Sequence, residues 1–263
     1  MAVDAYETAN QAADWLRQQF GLGEVFGGIV LGSGWGPARE AWGTPLHEAA
    51  TGDVPGFLAP IAPGHAGQIL HYCWSGRDVL VLSGRTHYYE GHGAQPVVHG
   101  VRTLAALGAR RIVLTNANGS FHPEWPLGQI VALTDHLNLS MVSPLVGARF
   151  VDLTDTYDPQ LRARALALDP SLVTGVYAMF PGPYYETAAE AHMAVVMGAD
   201  VVGMSTVLEA IAAREFDCKL LALSIVTAHE ATGEAIDPDE VVAIAEASAR
   251  RVGPLLRSIL AED

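Results

Sequence analysis

Apolar positions along the chain alternate between two rhythms. From Tyr6 to Phe20, Ala9, Ala12, Ala13, Leu16 and Phe20 fall on one side of a helix that ends at Gly21 and Gly23. Val25 to Leu31 is a short apolar run instead, the mark of a buried strand. Further on, Ile69 to Trp74 and Asp78 to Ser83, joined at Gly76, predict a hairpin, and Pro96 to Leu107 predicts a helix stopped by Gly108. Strands are expected at Arg111 to Leu114, Gln129 to Leu133, Leu172 to Phe180, Asp200 to Gly203 and Lys219 to Val226. Helices are expected over Thr187 to Met197, Val207 to Phe216 and Pro238 to Leu260, the last with Pro at its first position behind Asp237. Thr51 to Gln68, rich in Gly and Pro without periodicity, reads as a loop. The segment holding Arg149, Phe150 and Asp155 to Asp158 is a long irregular connection, of the kind that covers a site or reaches a neighbouring subunit. Repeated strand–loop–helix units predict one α/β domain over residues 1–263, whose ligands gather at the carboxyl ends of strands.

Those strand ends carry the polar chemistry. Val25 to Leu31 feeds Gly32-Ser33-Gly34-Trp35-Gly36, where clustered backbone N–H groups and the Ser33 hydroxyl can cradle an anion; a tight turn that lets elements pack closely is the alternative. The spacing is G-x-G-x-G followed by Pro37, one residue short of the dinucleotide pattern. Asp78 to Ser83 delivers Gly84-Arg85-Thr86-His87-Tyr88-Tyr89-Glu90-Gly91-His92. Arg85 offers a planar fork to phosphate oxygens and His87 a further hydrogen bond; a solvated loop is the competing reading. Thr115 to Ser120 is read as a second strand-to-loop junction with small residues. Glu186 follows Tyr184 and Tyr185 at the head of a helix. Rings beside a carboxylate raise its proton affinity and suit a flat ligand that donates N–H groups; a first-turn acid favoured by the helix dipole is the plain alternative.

Charge narrows the partners. The chain has 263 residues, half of them hydrophobic, and a net charge of −14 with only fifteen Lys and Arg, which argues against nucleic acid and anionic membranes. Any anion must therefore be held by a local cluster of donors. No run of eighteen apolar residues occurs, and Met1 to Gln11 holds two acids and no base, so neither a membrane span nor a signal peptide is expected. Two cysteines, Cys73 and Cys218, fit a reducing cytoplasm better than a disulfide framework. Neither H-E-x-x-H nor paired C-x-x-C spacing occurs, so no metal is expected.

Six segments in this order complete the pattern: Leu31 to Gly36, Gly64-His65-Ala66-Gly67, Gly84 to His92, Thr115-Asn116-Ala117-Asn118-Gly119, Gly182 to Thr187, and Gly203-Met204-Ser205-Thr206. Together they resemble the purine nucleoside phosphorylases of the trimeric, 6-oxopurine-preferring class, over about Ile29 to Val241. The resemblance implies a single-domain α/β fold with a mixed, partly barrel-like central sheet flanked by helices. It also implies a homotrimer, phosphorolysis of inosine- or guanosine-like nucleosides, and phosphate as co-substrate without metal or organic cofactor. Phosphate would be held by Ser33, Arg85, His87, Asn116, Ala117 and Ser205, with His65 near phosphate and sugar. Tyr89, Tyr177 and Met204 would line the ribose, Tyr185 would stack on the purine, and Glu186 would receive its N1–H. Asn118, Thr227 and Ala228 would border the base, and Phe150 would reach a neighbouring subunit's site. Ala228 stands where relatives carry an Asn that contacts the purine. Either His229 takes over that task, joining His87 and Glu186 as a catalytic group, or the base is recognised differently. Pro238 replaces a histidine that some relatives direct at the 5′-hydroxyl. Another ribosyl substrate, a 5′-methylthio nucleoside or xanthosine, is the nearest alternative, and a silent nucleoside- or phosphate-binding pocket is the next.

Overall fold

The computed structural model describes residues 4–59, 66–230 and 238–261. Helix α1, Ala5–Phe20, opens on Asp4, whose side chain accepts from Tyr6 N, and closes on Gly21 in the left-handed region at φ 66°. Strand β1 is Gly27–Leu31, β2 His47–Ala50, β3 Gln68–Trp74 and β4 Arg77–Ser83. Helix α2, Ala94–Ala106, leads to β5, Arg111–Ser120, and β6, Ile130–Asn138. Helix α3 is Pro159–Leu168, β7 Val173–Met179, α4 Ala188–Val196, β8 Val201–Gly203, α5 Val207–Glu215, β9 Lys219–His229 and α6 Pro238–Ala261.

The strands form a nine-stranded sheet in the order β2-β3-β4-β1-β5-β8-β7-β6-β9, and β9 pairs again with β5. That last pairing closes β5, β8, β7, β6 and β9 into a ring, while β1 to β4 fan out from β5 as an open wing. Pairing is mixed: β1 is parallel to β4 and β5, and β6 is antiparallel to β9. Alternation along the strands feeds two apolar layers. Ile112, Leu114, Leu220 and Ala222 pack with Leu16 of α1, Leu104 of α2 and Leu208 of α5. Val113, Leu221 and Leu223 turn the other way, against Leu161 of α3 and Val252 and Leu256 of α6. Each such fully buried Leu contributes roughly 1.5–3 kcal/mol relative to an exposed one.

Three elements differ from the periodicity reading. Strand β5 continues through Thr115 to Ser120, read above as a loop, because its far half pairs with β8 and β9. Strand β2 has no buried position, so no alternating pattern marks it. Helix α3 lies inside the supposedly irregular connection; it buries only Leu161 and Ala165, and Asp158 caps it by accepting from Gln160 N and Leu161 N.

Helix α6 crosses directly over the glycine turn after β1. Gly34 has φ +74°, and a Cβ there would lie 2.2 Å from the Ala245 Cβ. Gly34→Ala is therefore expected to destabilise the fold by about 1–3 kcal/mol, from backbone strain and overpacking. Calorimetry should show a thermal midpoint several degrees lower; an unchanged midpoint contradicts this packing.

Candidate functional site

Strand β5 changes neighbours along one edge. Gly27 to Val30 of β1 pair with Arg111 to Leu114, β8 pairs with Gly119 and Ser120, and β9 runs along the opposite edge throughout. The edge between Thr115 and Asn118 is left open, and a pocket forms there at the carboxyl ends of β1 and β4. Thr115 closes off the end of the β1 pairing: its Oγ1 accepts from Gly32 N at 3.0 Å and donates to Val30 O at 2.9 Å. Trp35 Nε1 donates to Asn116 O at 2.8 Å, which ties the glycine turn and Ser33 to the open edge. Gly32 is required there, since a Cβ would stand 2.4 Å from Thr115 O.

The pocket gathers donors. Arg85 Nη1 donates to Ser205 Oγ at 3.1 Å, and its Nε lies 3.2 Å from Glu209 Oε2, with the two side chains only 2% and 3% exposed. Burial raises the Glu209 pKa and the Arg85 charge opposes that rise. Ser205 Oγ is 3.1 Å from Thr206 Oγ1, which accepts from Asn116 Nδ2 at 2.9 Å. The Ser224 hydroxyl donates to Asn116 Oδ1 and accepts from Asn118 Nδ2, so the chain of bonds runs from Arg85 to Asn118. Thr206 holds φ +73°, an unfavourable value for a β-branched residue, where β8 turns into α5. His87 stacks on Tyr89 with centroids 4.7 Å apart, and burial pushes the Tyr89 phenol up to about 12.

The same pocket is also lined by Tyr185, Glu186, Met204, Val202, Ala228 and Glu230. Glu186 is not the first-turn acid of α4. Thr187 caps that helix in a reciprocal pair with Glu190, whose Oε2 accepts from Thr187 N at 2.8 Å. Glu186 lies outside the helix, with Oε1 buried and without a hydrogen-bond partner among the described residues. Burial first, then the charges of Glu230 and Glu190, push its pKa to about 7, against the pull of its own backbone N–H.

The structure brings most of the expected residues to one pocket: Ser33, Arg85, His87, Tyr89, Asn116, Ala117, Asn118, Tyr185, Glu186, Met204, Ser205, Thr227 and Ala228 all line it. Two expectations are corrected. His229 does not line the pocket: its Nε2 lies 2.7 Å from Trp125 O, while Thr227, Ala228 and Glu230 around it do. Tyr177 lies fully buried behind the wall, its hydroxyl accepting from Ser205 N at 3.3 Å, and it supports Ser205 rather than lining a ribose. Phe150, expected at a neighbouring subunit's site, is 97% exposed and does not line this chain's own pocket. His65 lies outside the described residues. Pro238 opens α6, whose Val241 reaches the pocket. Glu209 and Glu230 were not singled out from the sequence; an acid two places beyond Ala228 on an extended strand was the available signal for Glu230.

The Glu186 carboxyl gives a pH signature. Its folded pKa of about 7 exceeds the ordinary 4.5, so stability is full below about pH 4.5 and is lost as pH rises through about 7. Glu186→Gln removes that slope. Its thermal midpoint should exceed the parent's at pH 8 by more than it does at pH 5; an equal offset at both contradicts the buried carboxyl.

A family model for the phosphorylase superfamily matches residues 28–261. The chain is 49% identical over 260 residues to a Mycobacterium tuberculosis protein named purine nucleoside phosphorylase, covering 98% of this chain and 97% of that one. A Cellulomonas protein of the same name is 47% identical over 266 residues, covering 98% and 94%. Among solved structures, Schistosoma mansoni purine nucleoside phosphorylase in complex with adenosine superposes with a TM-score of 0.89 at 30% identity, covering 97% of each chain. The same enzyme in complex with inosine gives 0.88 at 28% identity, covering 100% and 99%.

Proposed function

The chain belongs to the phosphorylase superfamily, and from that membership we propose that it is a pentosyltransferase carrying out the reversible phosphorolysis of 6-oxopurine ribonucleosides. The observation that carries this reading is one pocket lined by two chemically different groups of side chains: Arg85, Ser205 and Asn116, linked by hydrogen bonds, and Tyr185 with Glu186. The first group suits inorganic phosphate, for which Arg85 supplies charge and the Ser33 turn supplies backbone donors. The second suits a flat base, which Tyr185 stacks on and whose N1–H the ionised Glu186 accepts. A sugar between them faces Tyr89 and Met204.

The transition state has a cationic sugar and a base gaining negative charge. A phosphate fixed beneath the sugar stabilises the cation and then bonds to C1′ as the bond to N9 breaks. The Arg85–Glu209 pair and the bonds from Ser205 to Asn118 hold the donors in place before substrate arrives. This chemistry calls for no metal and no organic cofactor. The curated relatives' names and the neighbours' nucleoside complexes support the purine substrate.

The reading extends to a homotrimer in which Phe150, exposed on the long connection beside exposed Val146 and Leu153, completes a neighbouring site. A cytoplasmic location accords with the two unpaired thiols, Cys73 and Cys218. Among the described residues, no helix is long and apolar enough to cross a membrane.

The test is release of free base and ribose 1-phosphate from inosine, guanosine and adenosine, with and without phosphate. Phosphate-dependent turnover of inosine or guanosine is expected, and Arg85→Ala should raise the KM for phosphate by at least about tenfold. Release that ignores phosphate, or an unchanged KM in Arg85→Ala, contradicts the reading. Sedimentation should give three times the chain mass, and Phe150→Ala should raise the nucleoside KM; a monomer of full activity contradicts the shared site.

A further inference from the structure

Around Tyr185 and Glu186 the pocket offers no side chain set to hand over a proton except a carboxyl. Asn118 gives one amide N–H to Ser224, which itself donates to Asn116, and its Oδ1 is a buried acceptor without a partner among the described residues; a neutral amide can hydrogen-bond a base nitrogen but cannot hand it a proton. Glu186 Oε1 is a second buried acceptor without a partner among the described residues. Ala228 has no polar side-chain atom. Tyr185 holds its proton tightly, since burial and the charges of Glu230 and Glu186 raise its phenol. Yet a purine leaving C1′ accumulates electrons on its imidazole ring and departs readily only if N7 receives a proton.

We infer that Glu230, in its protonated form, gives that proton to N7 of the departing purine, an assignment that rests on the phosphorolysis reading above. The placement is built into the strand. Glu230 follows the last residue of β9 and lines the pocket together with Ala228, and its backbone N donates to Ser120 O at 2.8 Å, which anchors the residue past the end of the strand. Gly119 makes room for the side chain, because a Cβ there would stand 1.9 Å from Glu230 Oε1. Burial raises the Glu230 pKa, and the Glu230 charge in turn raises Glu186. Two carboxyls in one poorly solvated pocket hold a shared proton more readily than both ionise. Before a base binds, that proton rests on Glu186, which burial and the Glu230 charge push to about 7; a bound base whose N1–H is accepted by the Glu186 carboxylate shifts the shared proton to Glu230.

The step balances. A phosphate oxygen bonds to C1′ as the C1′–N9 bond breaks, its electron pair passing to the imidazole ring while the Glu230 O–H proton moves to N7. The products are the neutral base, the sugar phosphate and the Glu230 carboxylate. The proton lost when hydrogen phosphate becomes the ester dianion returns to Glu230 through water.

The test compares guanosine with 7-methylguanosine, whose base is already cationic and leaves without a proton, using the full-length protein. Glu230→Gln should lower kcat/KM for guanosine by roughly 10²–10⁴-fold and for 7-methylguanosine by less than about tenfold. The acid works below its pKa, so the parent's guanosine activity falls as pH rises through that value, and Glu230→Gln should lose this alkaline fall. Glu230→Ala should show the same split without the amide, and retained 7-methylguanosine turnover reports that either variant is folded. Equal losses on both nucleosides in variants with the parent's thermal midpoint, or no loss on guanosine, overturn the assignment and leave phosphorolysis standing. A parent that releases base from neither nucleoside in a phosphate-dependent way brings down the phosphorolysis reading and this inference with it.

Discussion

A strand that must exchange one neighbour for another halfway along a single edge leaves buried backbone groups between them, and those groups have to be satisfied. In this protein the exchange happens on β5, where β1 leaves before Thr115 and β8 arrives at Gly119. Thr115 and Trp35 satisfy the gap with side-chain hydrogen bonds to Gly32, Val30 and Asn116. The closed ring of strands on one side and the open wing on the other cannot meet without this gap. The pocket is the gap, furnished with side chains.

Its furnishing follows an electrostatic logic. Arg85 is almost fully buried, and an unpaired guanidinium there would cost several kcal/mol, so Glu209 from α5 accompanies it. The pair leaves Arg85 Nη1 turned to Ser205, and the relay through Thr206, Asn116 and Ser224 reaches Asn118 at the far end. A network linked in this way holds its donors in place before an anion arrives, which is the condition under which fixed dipoles stabilise a transition state most. Fold and site therefore share components: Thr206 begins α5, Gly203 packs on the Tyr177 hydroxyl, and Tyr177 receives Ser205 N.

The elements with strong apolar rhythm, α1, α2, β1 and the β3–β4 hairpin, were legible in the sequence to within a few residues, because burial on one or both faces leaves a periodic trace. The glycine turn and the Arg85 segment were legible for another reason: polar residues emerging from buried strands have no packing role. Strand β2 left no trace because none of its positions is buried. Glu209 was illegible because it sits in an otherwise apolar helix face, and only the tertiary approach of Arg85 explains its charge. The assignment of His229 failed on direction: residue type suggested a donor, but β9 stays extended through His229 and turns that ring to Trp125.

All of this rests on a single pocket holding phosphate and base at opposite ends. A crystal structure of the protein with phosphate and hypoxanthine tests that claim most directly. The account predicts phosphate oxygens within hydrogen-bond distance of Arg85, Ser205 and the Ser33 turn, with hypoxanthine against Tyr185 and its N1–H on Glu186. Phosphate bound elsewhere, or a base with no contact to Glu186, would contradict it.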